Sequence, residues 1–186
     1  QNNVDFNFKK ESVIFLGRLT PVKRPWIYFE LAKFFPEKIF YVCGQGNEIN
    51  EILEKYKGIE NLKFMGHVSG EQKDKLLKEA KVLVNTSIHE AIPVSFLEAI
   101  SYGLKILSCQ NPDDITKNNG YFTGTILGDG FDKLEEFQNG LKYCFDNYNK
   151  LEILESVNKI RENHNLFKFI EEGRKLIKNG VKNERN

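Results

Sequence analysis

The sequence predicts an α/β fold: a Rossmann-like parallel sheet with helices on both faces, followed by a helical C-terminal tail. Three observations carry this. Short β-rich runs, apolar on both faces, alternate with longer stretches of helical periodicity. Helix-start and helix-stop residues fall between them, and past Phe131 the helical pattern continues without a strand. Two-sided apolarity is the mark of buried parallel strands, and strand–helix alternation gives a sheet covered on both faces.

The elements follow in order. Residues 1–10 are polar and read as a linker, residues 11–165 as the domain, and residues 166–186 as a C-terminal helix and tail. Strands are predicted at Ser12–Leu16, Ile39–Cys43, Leu62–Met65, Val82–Asn85 and Ile106–Ser108. Helices are predicted at Pro25–Phe35, Asn47–Lys57, Glu71–Ala80 and Pro93–Tyr102. Ser69 with Gln72 has the spacing of a capping box. Pro93 near a first turn and Gly103 past the end are the expected start and stop of the fourth helix. Phe131–Tyr148, Leu151–Glu162 and Leu166–Asn179 carry helical periodicity with many charges.

At 186 residues and 40% hydrophobic, with 15 Phe and 7 Tyr, the chain can bury one continuous core. Lys and Arg number 27 against 26 Asp and Glu, a net charge of +1. That balance excludes a general nucleic-acid surface, so any anion must be met by a local site. The basic stretch from Arg174 to Arg185 reads as a solvated helix face. Cys43, Cys109 and Cys144 stand far apart, outside any CxxC arrangement, and are expected as buried thiols. No apolar run reaches bilayer length and no leader is visible, although a chain that begins at Gln1 says nothing of a parent protein. The expected location is the cytoplasm, with any membrane contact peripheral, at the inner face and through another part of the parent.

In open parallel sheets ligands sit beyond the carboxyl ends of the strands, and there the unusual residues fall. Gly17-Arg18-Leu19-Thr20-Pro21-Val22-Lys23 follows the first strand. Gly17 permits a tight turn or close approach, while Arg18 and Lys23 place two cations at the mouth of the sheet, enough to anchor a diphosphate. The alternative is two exposed basic residues in a loop. Glu90-Ala91-Ile92-Pro93-Val94 leads from the fourth strand into a helix whose first amides would face the crevice and favour an anion. Glu98 sits in that helix among Val94, Phe96, Leu97, Ala99 and Ile100, which leave little room for a solvent face. Either it points back to the crevice and accepts hydrogen bonds from a ribose, or it bonds a neighbouring loop or Lys105.

The Glu90-x7-Glu98 spacing, with Gly17-Arg18 and Lys23 upstream, resembles the C-terminal, donor-binding domain of retaining GT-B glycosyltransferases of the GT4 group. Gly44-Gln45-Gly46 resembles the family's Gly-x-Gly turn, Phe64-Met65-Gly66-His67-Val68 its Phe-x-Gly-x-Val segment, and Asn3-Val4-Asp5…Phe8 its interdomain linker. The resemblance covers nearly the whole chain. It implies one half of a GT-B fold that binds a nucleotide-diphosphate sugar and transfers a hexosyl-type group to a hydroxyl acceptor in polysaccharide biosynthesis, inactive without the acceptor-binding domain. It implies that Arg18 and Lys23 hold the diphosphate, Glu90 meets donor-sugar hydroxyls with the main chain of Ala91, Ile92, Pro93 and Val94, and Glu98 holds the ribose. Gly17, Gly44, His67 and Val68 would line the nucleotide, the last two by their main chain at the base. Glu90, Arg18 and Lys23 would be the residues acting on the reacting group. No cofactor and no metal is implied, and the nucleophile is the acceptor's own hydroxyl. Ala91 stands where the family often has Gly, and Gln110-Asn111-Pro112-Asp113 where a Gly-Gly turn and a Glu are usual.

His89 reads as a packed or hydrogen-bonded loop histidine, His164 as a surface residue, Trp26 and Tyr28 as packing residues, and Asp113, Asp114, Asp129 and Asp132 as turn residues. A nucleotide-sugar epimerase, a phosphorylase-like relative, or a non-catalytic nucleotide-sugar-binding module remain as alternatives on the same scaffold. A dinucleotide site is disfavoured because Ile49 stands where a third glycine would be needed.

Overall fold

The computed structural model describes residues 4–46, 48–90 and 93–163. Its strands are β1 (Ser12–Leu16), β2 (Ile39–Cys43), β3 (Leu62–Gly66), β4 (Val82–Asn85), β5 (Lys105–Ser108) and β6 (Gly120–Phe122). Its helices are α1 (Pro25–Phe34), α2 (Asn50–Glu54), α3 (Gly70–Glu79), α4 (Val94–Ser101), α5 (Ile115–Asn119), α6 (Leu134–Asp146) and α7 (Lys150–Asn163). The strands lie in the order β3-β2-β1-β4-β5-β6, every neighbouring pair parallel. The chain winds outward from β1 to β3, returns to place β4 on the other side of β1, and winds outward again. That reversal opens a crevice at the carboxyl ends of β1 and β4.

Alternation along β1 shows how the layers form. Val13 and Phe15 enter one core with Tyr28, Leu31 and Phe137 from α1 and α6. Ile14 enters the opposite core with Leu77 of α3 and Phe96 and Ile100 of α4. Successive side chains of a strand face opposite ways, so an all-apolar strand needs helices on both sides. Val13 and Ile14 are fully buried, and each such side chain stabilises the fold by roughly 1.5–3 kcal/mol. Pro25 opens α1 at its first position, and Gly103, at φ +78, ends the turn after α4.

Several elements differ from expectation. β6 and α5 were not predicted; β6 pairs with β5 through Ile106↔Gly120, Leu107↔Tyr121 and Ser108↔Phe122. α2 is five residues long, because the turns at Lys55 and Tyr56 tighten onto the carbonyls of Ile52 and Leu53 ahead of Gly58. Ser69 occupies the N-cap of α3 without a side-chain cap bond; Gly70, the first residue of α3, stands at φ +52, and no capping box forms. The predicted helix from Phe131 begins as a short 3-10 turn at Phe131–Lys133 before α6. The predicted helix at Leu166–Asn179, like His164, lies outside the described residues.

Residues 4–10 lie against the domain. Lys9 Nζ donates to the carbonyls of Leu77 (3.1 Å) and Ala80 (2.6 Å) at the end of α3, and Val4 packs over Gly103. Cys43, Cys109 and Cys144 are buried free thiols, and burial pushes Cys43 and Cys144 up to about 12. Among the described residues no helix is long and apolar enough to cross a membrane.

Candidate functional site

The register between β1 and β4 covers Val13↔Val82 and Ile14↔Leu83 alone, and above it the chain enters two loops that face each other across the crevice. A 3-10 turn at Pro21–Lys23 aims Lys23 at the opposite loop, where Nζ donates to Glu90 Oε1. The loops are laced together by Thr86 Oγ1, which donates to the carbonyls of Lys23 (2.6 Å) and Arg24 (3.0 Å), and by Ile88 N, which donates to Val22 O (2.9 Å). Glu90 Oε1 also accepts from Ser87 Oγ at 2.6 Å and Asn85 Nδ2 at 3.2 Å. Burial pushes this carboxyl up, but the bonds from Lys23, Ser87 and Asn85 and the Lys23 charge outweigh it and hold the group below the usual carboxylate range. The result is an ionised carboxylate, 14% exposed, with one oxygen engaged three times. Glu90 Oε2 has no partner among the described residues.

The Arg18 side chain is exposed and, among the described residues, bonds to nothing. It is a cation left open to solvent at the same strand end. Gly17 does not need to be glycine for its own conformation: an added Cβ would meet only the Phe15 ring, at 3.7 Å. The demand falls on its neighbour. A Cβ on Gly44 would lie 1.7 Å from Gly17 O, and one on Gly46 would lie 2.2 Å from Leu19 O. Gly44 and Gly46 therefore let the loop after β2 press against the loop after β1, sealed by Gly17 N to Cys43 O (3.0 Å) and Leu19 N to Gln45 O (3.0 Å).

α4 starts at Val94 rather than Pro93, which stands at the N-cap and supplies no capping side chain. Ala91 and Ile92 lie outside the described residues. Val94 is 77% exposed, so the helix does have an open side, contrary to the apolar surroundings expected for Glu98. Glu98 is half-buried and pairs with Lys73 of α3 at 2.6 Å. The expected alternative partner, Lys105, instead faces Glu152 at 3.6 Å. His67 is exposed and Val68 is buried just after β3. His89 is exposed and has no hydrogen bond among the described residues, so it is not the packed or hydrogen-bonded histidine expected. Trp26 donates to Asp129 O (2.8 Å) and the Tyr28 hydroxyl to Val13 O and Tyr41 O (both 3.0 Å), so both serve packing. Asp113 and Asp114 form a left-handed turn, and Asp129 accepts from Phe131 N, as turn residues do.

The structure thus brings Lys23 and Glu90 into contact, while Gly17 and Arg18 follow β1 and Gly44 follows β2 at the neighbouring strand ends. Glu98 carries Lys73 of α3 on its Oε1. Sequence reasoning missed Asn85, Thr86, Ser87, Gln110 and Arg24. The run Asn85-Thr86-Ser87, short polar residues ending an apolar strand, was the available signal for three of them. Gln110 Nε2 donates to the carbonyls of Ser87 (3.3 Å) and Ile88 (2.9 Å) and so ties the loop after β5 to the loop after β4. Among the described residues no three His, Cys, Asp or Glu side chains converge to hold a metal ion. A cavity of about 900 Å³ lies elsewhere, between the N-terminal segment, α3 and the end of α7, and includes none of these groups.

Residues 1–182 match the family model described as Glycosyl transferases group 1. The chain belongs to that family. Among curated relatives it is 34% identical over 106 residues to the Escherichia coli UDP-Gal:alpha-D-GlcNAc-diphosphoundecaprenol alpha-1,3-galactosyltransferase, covering 52% of this chain and 27% of that protein. It is 27% identical over 106 residues to the Escherichia coli O-antigen biosynthesis glycosyltransferase WbnH, covering 57% and 30%. This glycosyltransferase-family chain therefore spans less than a third of the length of these relatives. Its fold is shared with the pneumococcal O-GlcNAc transferase GtfA, solved in complex with UDP and GlcNAc, at TM-score 0.70 and 20% identity, covering 93% of this chain and 36% of that one. Anabaena Alr3699/HepE, solved with UDP and glucose, gives TM-score 0.71 at 14% identity, with coverage of 92% and 49%. The α/β architecture with a six-stranded parallel sheet is thus that of the GT-B glycosyltransferases.

Proposed function

We propose that this chain is the donor-binding half of a retaining, metal-independent glycosyltransferase of the GT4 group, which moves a hexosyl group from a nucleotide-diphosphate sugar to a hydroxyl acceptor. The observation that carries the reading is the meeting of Lys23 and Glu90 across the β1/β4 crevice. A cation for phosphate and an oriented carboxylate for hydroxyls stand side by side where a diphosphate joins a sugar. Arg18, open to solvent at the same strand end, supplies the second cation, and the N-terminus of α4, which follows the loop of Glu90, is an end that favours an anion.

In this reading Arg18 and Lys23 stabilise the negative charge that grows on the diphosphate as its bond to the sugar breaks. Glu90 Oε1 is occupied, so Oε2 accepts from a donor-sugar hydroxyl. The acceptor hydroxyl attacks on the face the phosphate leaves and gives its proton to the departing phosphate oxygen. Glu98 holds the ribose, with Lys73 on its other oxygen. The acceptor, and closure of the crevice, come from the part of the protein that this chain does not span, so the chain alone transfers no sugar. UDP-linked donors are the first to test, because relatives and fold neighbours carry UDP or UDP-Gal in their descriptions.

The test is calorimetric titration of the chain with UDP, UDP-glucose, UDP-galactose and uridine in EDTA. Binding of the diphosphates in preference to uridine, with EDTA present, is expected. No preference for the diphosphate, or a strict need for magnesium or manganese, would refute the assignment.

A further inference from the structure

Arg24 is fully buried, adopts a left-handed backbone (φ 42, ψ 50), and has no carboxylate within ion-pair distance among the described residues. Its guanidinium is satisfied by main chain and sulfur. Nε donates to Thr86 O (2.9 Å), Nη1 to Ile126 O (2.9 Å) and Gly128 O (3.2 Å), and Nη2 to Ser87 O (3.4 Å) and Cys109 Sγ (3.2 Å). Those acceptors sit beyond the carboxyl ends of β4, β5 and β6, and Arg24 itself ends the loop after β1. Four loops therefore converge on one side chain. One of them carries Lys23 and another carries Ser87 and Glu90.

The position is costly twice over. A left-handed backbone suits glycine, and a buried cation without a counter-ion forfeits its hydration. What offsets both costs is the fork geometry of guanidinium, which reaches several carbonyls at fixed angles. A lysine could satisfy part of the set, an apolar side chain none. We propose that Arg24 is the positioning residue of the crevice: it fixes the spacing between the loop of Lys23 and the loop of Glu90, and it adds a buried positive charge next to the diphosphate site. Arg24 touches no substrate in this scheme. It acts through Lys23, Ser87 and Glu90.

Two measurements on the full chain test this, using Arg24→Lys, which keeps the charge, and Arg24→Met, which keeps only the bulk. The first needs no ligand. In Arg24→Lys, amide hydrogen exchange should quicken by about tenfold or more, the size expected when hydrogen bonds from a charged donor are lost, together at residues 86–90, 109–110 and 126–130, and not in β2 or β3. Uniform quickening everywhere, or quickening confined to the neighbours of Arg24 in sequence, would overturn the role. Should the variants fail to fold, the wild type in low denaturant must open those three segments as one unit with a common denaturant slope; separate slopes overturn it equally. The second measurement rests on the donor-site reading. The ratio of UDP to uridine affinity should narrow by about tenfold in Arg24→Met and by less in Arg24→Lys. An unchanged ratio in both overturns the electrostatic part. If the wild type shows no preference for UDP at all, the donor reading has failed, and the exchange result still decides whether Arg24 holds the loops.

Discussion

Replacing Lys23 with Met would isolate what the charge of the ion pair contributes to folding. Lys23 and Glu90 are 25% and 14% exposed, so the pair is neither solvated like a surface bridge nor sealed in the core. A hydrogen bond between charged groups contributes about 1.5–3 kcal/mol. Partial exposure, and the Ser87 and Asn85 donors that remain on Glu90, place the loss at the lower end, about 1.5 kcal/mol at neutral pH. The loss should depend on pH. Glu90 has a folded pKa below its unfolded value, so its stabilisation is complete above about 4.3 and disappears as pH falls through the folded value. In Lys23→Met burial still raises that carboxyl while its strongest donor is gone, so the variant's Glu90 takes up its proton at higher pH. The gap between the two proteins should therefore be widest at neutral pH and close as the wild-type group protonates. Urea unfolding at neutral pH and at the lowest pH at which both proteins stay folded measures it, with equal denaturant slopes as the control. A gap of the same size at both pH values would show that Lys23 contributes packing and not charge, and would remove the argument for an oriented, ionised Glu90.

Arg18→Ala should leave stability within about 0.5 kcal/mol, since the side chain has no partner among the described residues, yet weaken UDP by about tenfold or more while sparing uridine; calorimetry with a melting curve checks both. Gly44→Ala should cost about 1–3 kcal/mol or prevent folding, because its Cβ would overlap Gly17 O; a normal melting temperature would contradict the close approach of the two loops. Glu98→Gln should weaken binding of UDP but add little to the loss already caused by a 2′,3′-dideoxyribose analogue, and additive losses would take Glu98 off the ribose. Tyr28→Phe removes a buried hydroxyl that donates at 3.0 Å to both Val13 O and Tyr41 O, and should lower stability by about 1–2 kcal/mol in urea unfolding without changing UDP affinity.

The parallel strands β1, β2, β4 and β5 were legible because each carries an apolar run that needs cover on both sides, and β3 from Leu62, Phe64 and Met65 although Lys63 is exposed between them. β6 was not: Gly120-Tyr121-Phe122 is three residues, half-buried, and preceded by the polar Lys117-Asn118-Asn119, so only its pairing with β5 makes it a strand. Lys23 and Glu90 were legible as chemistry at strand ends, and their contact follows from the doubly wound order. Arg24 was hidden beside Lys23 because a basic residue in a loop reads as solvated, and only tertiary structure shows carbonyls gathered around it. Glu98 was read against its own helix alone. Its partner, Lys73, comes from α3, which no local pattern places within reach.

The strand order also decides how the sheet ends. Its two outer strands are β3 and β6. An outer strand with unpaired backbone groups is a template on which another chain can add, the usual route to aggregation through sheet extension. Here β6 offers three residues, and β3 exposes Lys63 along its length and breaks register against β2 between Val42 and Cys43. Neither edge gives a stranger a long, flat, uncharged row to copy. A domain made of unusually apolar strands is thereby protected from self-templating at the two places where those strands stop.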